Sequence, residues 1–301
     1  MPAKPILLSF DVEEHHRIEA AVGYDCPLPL RKEYATRMET STLRLLDLLA
    51  EKNATATFFI VGQIAISHPQ LIRAIHAGGH EIASHGWDHQ RVHRFTPATF
   101  LDDVRRSKDT LEQIAGVEIH GYRAPTFSVV RETGWAIDVL ASAGFSYDSS
   151  IFPVRHDRYG ISDAPRMPFW ALGREARLLE IPPVTLRMGR FNLPVAGGGY
   201  FRLFPLGILE AGLRQAARLE PSAAMLYFHP WEFDPSQPRL PLARVSKFRT
   251  YVGIGRSSSR LRKLLARHRF TRAIDVVNTL RDSGLSEYRV YQEPALQGVT
   301  S

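Results

Sequence analysis

Short apolar and β-branched runs recur along the chain, most of them followed by a stretch with helical spacing. The runs are PILLSF from Pro5, TATFFIV from Thr55, HEIAS from His80, EIHGYR from Glu118, FSYD from Phe145, LLEIP from Leu178 and AMLYFH from Ala224. Each is short, rich in strand-favouring residues and bounded by turn or charged residues, so seven strands are predicted. Between the first two a helix is predicted, capped near Thr40 or Ser41, with Leu43, Leu46, Leu49 and Ala50 forming its buried face. Further helices are predicted at about 63–77, 98–115 and 131–143. Strand followed by helix, repeated, implies an α/β fold with a parallel sheet, either closed as a barrel or open and doubly wound.

The barrel is favoured by where the reactive side chains fall. Asp11, His85, Arg123, Asp148 and His229 each stand at or just past the C-terminal end of a predicted strand. Parallel α/β architectures place their chemistry at that end. No G-x-G-x-x-G or P-loop pattern follows a strand, and GGGY from Gly197 lacks that context and reads as a flexible or close-packed loop. After Pro235 the texture turns Pro-, Gly- and Arg-rich, which divides the chain into a barrel over residues 1–235 and a C-terminal extension over 236–301 packed on it.

With 301 residues and 44% apolar composition the chain can bury a full core. There is no apolar run of membrane-spanning length, and the opening residues have too short an apolar run for a signal peptide, so a soluble, cytoplasmic protein is expected. A single cysteine, Cys26, excludes an internal disulfide and a thiolate zinc site, so any metal must be held by His and carboxylate. The net charge of +7 favours anionic partners. The basic residues concentrate in RSSSRLRKLLARHRFTR, Arg256 to Arg272, which reads as an exposed helix face or as a contact for an anionic surface. Nucleic acid is not expected as a partner, because that stretch interleaves only Phe270 with its cations.

Within DVEEHH, residues two apart on a strand share a face, so Asp11 and Glu13 project together. That pair suits either an acidic loop after a strand or a base beside a metal ligand, since a dication offsets the repulsion between the two carboxylates. In SHGWDHQRVH, His85 and His89 are four apart, which on a helical turn brings two imidazoles to one side. His93, His15 and His16 are close enough in sequence that spacing alone does not choose the ligands. Taken with Asp11 and Glu13, the histidines complete a His-His-carboxylate set of the kind that binds a divalent metal, zinc first and cobalt or manganese next. Arg123 in GYRAPTFS is suited to hold Asp11 ionised. His229 in LYFHPWEFD is suited to donate a proton, with Trp231 walling off an apolar patch. Asp148 in FSYDSS is expected to fix the tautomer of His229 or to orient another cation.

As an ordered set, these motifs resemble the NodB-type polysaccharide deacetylases, carbohydrate esterase family 4, over roughly residues 5–235. The openings DVE, GYRAP, YDSS, GGGYFR and YFHPWE resemble the subgroup linked to exosortase-type exopolysaccharide loci, which has a C-terminal extension. The resemblance implies a distorted (β/α)7 barrel. It implies removal of N-acetyl groups from N-acetylhexosamine residues of a glycan, with Asp11 as general base, Glu13, His85 and His89 as metal ligands, Arg123 as the partner of the base and His229 as general acid. A backbone N–H near Thr126 would help to hold the oxyanion. Three positions depart from the common family pattern: SFDVE moves the metal carboxylate to Glu13, Gly86 stands where a hydroxyl residue is usual, and Thr126 replaces an aromatic residue. The alternatives are a cyclic amide or imide hydrolase of the same superfamily and a catalytically idle carbohydrate-binding barrel. An enzyme of this kind without an export signal would meet its glycan at the inner membrane face, docked through Arg256 to Arg272 on anionic lipid.

Overall fold

The structure, a computed structural model, describes residues 4–292; the outermost residues of the two regions set out above, 1–3 and 293–301, lie outside it. The strands are β1 (Ile6–Val12), β2 (Thr57–Ile60), β3 (Glu81–Ser84), β4 (Gly121–Tyr122), β5 (Tyr147–Asp148), β6 (Phe169–Leu172), β7 (Arg177–Glu180), β8 (Thr185–Met188), β9 (Phe191–Pro194), β10 (Ala224–Phe228), β11 (Phe270–Thr271) and β12 (Glu287–Arg289). The helices are α1 (Leu28–Glu51), α2 (Gly62–Ser67), α3 (Pro69–Ala77), α4 (Pro97–Ala115), α5 (Ala136–Ser142), α6 (Gly198–Leu203), α7 (Leu206–Ala216), α8 (Arg244–Tyr251), α9 (Ser257–Arg267) and α10 (Ile274–Arg281).

The seven strands expected from the sequence are β1 to β5, β7 and β10, and they run side by side in the order β10-β1-β2-β3-β4-β5-β7, all parallel. The chain just past β7 returns to β10 through a parallel bridge between Pro183 and Met225, with Val184 N–H donating to Met225 O at 2.9 Å. That bridge closes the sheet into a distorted barrel. Pairing is thinnest at β3–β4, where Ser84 faces Tyr122 alone. Alternation along β1 sets the two layers. Leu8, Phe10 and Val12 face the helices, whereas Leu7, Ser9 and Asp11 face the barrel axis.

Helix α1 begins at Leu28, twelve or thirteen residues before the expected cap at Thr40 or Ser41. Pro29 suits a first turn, and Thr40, one of the two expected caps, is satisfied inside the helix, its Oγ1 donating to Thr36 O at 2.8 Å as Thr42 Oγ1 does to Met38 O. The buried face accordingly runs through Tyr34, Met38, Thr42, Leu45, Leu48 and Leu49, with Leu43 and Ala50 exposed.

The segment after Pro235 enters the sheet. Strand β11 pairs with the start of β1, and β12 pairs with β6, itself antiparallel to β7. At the end of the barrel where the strands begin, Val277 and Leu280 of α10 pack with Leu7, Phe59, Tyr147, Leu179 and Met225. The first turn of α10 is tied to the barrel interior, with Ala273 N–H donating to Thr57 Oγ1 at 2.9 Å and Ile274 N–H to Glu81 Oε2 at 3.0 Å. One end of the barrel is plugged, and the other, where the strands end, is left for chemistry.

Candidate active site

The last inward position of β1 carries Asp11, and its carboxylate meets Arg123, which follows β4. Arg123 is fully buried, and its Nη1 donates to Asp11 Oδ1 at 2.6 Å and to Ser9 Oγ at 2.8 Å. Its Nε donates to Ser149 O at 3.1 Å and its Nη2 to Ser149 Oγ at 2.9 Å, while the guanidinium lies 4.0 Å from the Phe59 ring centre. A buried charge is tolerated only when paired and hydrogen-bonded, and every edge of this one is. Asp11 Oδ2 is left facing the cavity, 3.8 Å from His229 Nε2.

Glu13, His85 and His89 meet beside it, their donor atoms all within 4.8 Å of one another. His85 and His89 sit on the loop after β3 rather than on a helical turn; left-handed backbone at Gly86 (φ 75°) and His89 (φ 54°) folds the loop so that the rings lie 5.0 Å apart. Gly86 at a position where the common pattern has a hydroxyl residue is therefore required by its backbone conformation. His85 Nδ1 bonds Arg123 O at 2.7 Å, which fixes the ring with Nε2 available. Burial presses the His85 pKa down to about 4, so its ring is neutral. Glu13 Oε2 is buried without a hydrogen bond of ordinary geometry and abuts His89 Nε2. Burial works to raise the Glu13 pKa, yet His89, His229 and His85 hold it well below the usual carboxylate range. An orphaned carboxylate oxygen and a neutral imidazole held by its far nitrogen are a donor set that fits a divalent metal.

His229, just past β10, stands opposite. Its partner is Glu232: Oε1 accepts from the His229 backbone N–H at 3.1 Å and from Nδ1 at 2.8 Å, and Oε2 accepts from Arg202 Nε at 2.7 Å. Burial lowers the His229 pKa, but the hydrogen bond to Glu232 and the charges of Glu13, Glu232 and Asp11 outweigh it and raise the value to about 9. Trp231 Nε1–H donates to Glu13 Oε1 at 3.1 Å, and its ring lies against those of His229 and His15. His15 bonds the Tyr251 hydroxyl at 2.9 Å, so it braces the tryptophan rather than joining the metal set. His93 and His16 lie outside that set as well.

Asp148 does not take the place expected for it. The partner of His229 is Glu232, and Asp148 is fully buried opposite Glu180 on β7. Its Oδ1 accepts from Ser149 N–H at 2.9 Å and Ser150 Oγ at 2.5 Å; among the described residues its Oδ2 and Glu180 Oε2 have no partner except each other. Burial raises the pKa of both acids, Asp148 to about 6, as expected for two carboxyls that share a proton. Thr126 and Phe127 both adopt left-handed backbone, φ 58° and 49°, and both line the cavity.

Asp11, Glu13, His85, His89, Thr126, His229 and Trp231 open on one cavity of about 200 Å3. Glu232 and Arg202 were not anticipated, although the His229–Glu232 spacing of three residues after a strand end was a readable signal.

Residues 2–147 match the family model for polysaccharide deacetylase, and residues 149–278 match a domain of unknown function (DUF3473). A chitooligosaccharide deacetylase of Bradyrhizobium sp. (strain ANU 289) is 29% identical over 99 residues, 33% of this chain and 43% of that one. A peptidoglycan deacetylase of Helicobacter pylori is 26% identical over 156 residues, 50% of each chain. The chain thus spans half or less of the length of these curated relatives. A Mycobacterium smegmatis crystal structure carrying the name polysaccharide deacetylase superposes with a TM-score of 0.62 at 22% identity, covering 98% of this chain and 95% of that one, which shows a shared fold.

Proposed function

Residues 2–147 belong to the polysaccharide deacetylase family, and from that premise we propose that the protein is a metal-dependent hydrolase that removes N-acetyl groups from N-acetylhexosamine residues of a polysaccharide and releases acetate. The observation that carries this reading is the meeting, in one cavity, of a carboxylate held by an arginine, a Glu-His-His donor set and a histidine backed by a buried glutamate. Glu13, His85 and His89 would hold the metal, with zinc the natural choice for this donor set. When bound, it would polarise the amide carbonyl and lower the pKa of the attacking water.

The side chains do the rest. Asp11 is aimed by Arg123 through its Oδ1, so its free Oδ2 takes the proton of the attacking water. His229, its pKa raised by the hydrogen bond to Glu232 and by the nearby carboxylates, delivers a proton from Nε2 to the leaving amine. Glu232 on Nδ1 keeps that proton on the cavity side. Thr126 and Trp231 are the proposed walls for the sugar and its acetyl group. Among the described residues no helix is long and apolar enough to cross a membrane. The proposed place of action is the inner membrane face. Arg262, Arg267 and Arg272 are already paired with Glu51, Glu210 and Asp275, so a lipid contact there would fall to Arg256, Lys263 and Arg269.

The test is bound metal and acetate release in wild type and Asp11→Asn, offered N-acetylglucosamine oligomers. Both proteins should hold about one metal, with release in the variant down by roughly 10²–10⁴-fold. Failure to bind metal after reconstitution would sink the reading, and hydrolysis of cyclic imides in place of acetylated glycans would replace it.

A further inference from the structure

The walls of the cavity beyond the catalytic groups are not neutral. Arg158, on the loop after β5, and Arg249, on α8, both line it. Beyond Asp11 and Glu13, the acid on the same walls is Glu19, paired with Arg91 at 3.2 Å; Asp157, beside Arg158 in sequence and outside the lining, lies 3.0 Å from His156 and 3.5 Å from Arg249. Arg158 has no acidic partner among the described residues. Arg249 is largely exposed and only loosely engaged by Asp157, its side chain 55% accessible. Two guanidinium groups from separate elements therefore line the cavity, Arg158 with no acid among the described residues and Arg249 with only its Nη1 engaged, by Asp157 at 3.5 Å. Arginine forks onto carboxylate and phosphate oxygens, and a neutral sugar gives it no such partner.

We propose that the substrate is an anionic glycan: the N-acetylated sugar enters the cavity while a carboxylate or phosphate on its neighbour is clamped between Arg158 and Arg249. The inference rests on the deacetylase reading and names its substrate class. A cavity of about 200 Å3 lies below the range of pockets that bury a drug-sized ligand, so it holds the reacting ring and leaves the adjoining unit outside, within reach of the exposed Arg249 and of Arg158. Trp231 lines the same cavity and supplies aromatic surface beside that ring, while Tyr159, stacked on His156 at 4.0 Å, braces the arginine-bearing loop.

The test offers wild-type protein three acetylated substrates: a neutral N-acetylglucosamine oligomer, an oligosaccharide alternating N-acetylglucosamine with a uronic acid, and N-acetylglucosamine joined through pyrophosphate to a short polyprenol. One of the two anionic arms should exceed the neutral oligomer in kcat/KM by ~10-fold or more, and the preference should shrink in high salt. Whichever arm wins identifies carboxylate or phosphate as the clamped group. In Arg158→Gln/Arg249→Gln the preference should collapse. A neutral oligomer turned over as fast as both anionic ones, or a preference that survives the double variant, overturns the proposal and leaves the deacetylase reading standing. If no substrate releases acetate, the deacetylase reading has failed. The clamp is then decided by calorimetric binding of the same three compounds to Asp11→Asn, with and without the arginine substitutions. Anionic preference that depends on the arginines upholds it, and equal binding overturns it.

Discussion

Trp231 and Glu13 are joined by a hydrogen bond from the indole N–H to Oε1 at 3.1 Å, across 218 positions of sequence. The bond leaves Oε2 as the oxygen turned to His89. It pins the longer side chain at its tip, which supports the proposal that Glu13, two positions past Asp11, takes the place of the aspartate that follows the base in the common family pattern. Trp231→Phe keeps the ring and removes the donor. Metal affinity is expected to fall about 10–100-fold with the fold retained, as read by chelator competition.

Glu232 is buried between two cations, Arg202 and His229. Glu232→Gln leaves Arg202 uncompensated inside the protein, and a loss of roughly 3–5 kcal/mol in urea unfolding is expected. Adding Arg202→Met removes the orphaned charge and should recover most of it. A double variant as unstable as the single one would show that the pair is not what holds this corner.

The Asp148–Glu180 pair gives stability a specific pH slope. Burial raises both carboxyls above their unfolded values, Asp148 to about 6. Between the unfolded pKa near 4 and the folded value the native state binds more protons than the unfolded chain. The contribution is therefore fully present below about pH 4 and is lost as pH rises through about 6. Glu180→Gln removes the shared proton, so the melting temperature of the variant relative to wild type should improve from pH 4.5 to pH 8, by several degrees on the order of 2–4 °C per kcal/mol. A constant difference would mean that the two acids do not share a proton.

Restoring the hydroxyl residue of the common pattern should harm this protein. Gly86 sits at φ 75°, and Gly86→Ser places a Cβ in left-handed backbone at a cost of roughly 1–2 kcal/mol. Thermal melts should show the loss, and metal affinity should not rise. A tighter site in the variant would contradict the conformational reading.

The seven barrel strands were legible because their inward and outward faces are both buried, which writes a near-continuous apolar run such as TFFI or AMLYF. Asp11, Glu13, His85, His89, Arg123 and His229 were legible because each closes such a run or follows it closely. What escaped depended on distant partners. The start of α1 was hidden because hydroxyls satisfied within a helix look like caps. β11 and β12 are two and three residues long and are strands only because β1 and β6 offer edges. The likeness of Asp148 to a catalytic group came from its strand-end position, and its true partner lies 32 positions on, on a different strand. Glu232 was passed over because its role needs Arg202, which arrives from another helix.

The boundary between the two matching family models, at residues 147 and 149, falls inside the barrel wall. The first segment supplies β1 to β4 and all but the end of β5, the second supplies β7 and β10 with the bridge between them, and the two segments join where β5 meets β7 and β1 meets β10. Severed between Asp148 and Ser149, the chain would yield two fragments, each with unpaired parallel edges and neither with a complete interior. They are halves of one ring, each lacking the strand edge that the other supplies.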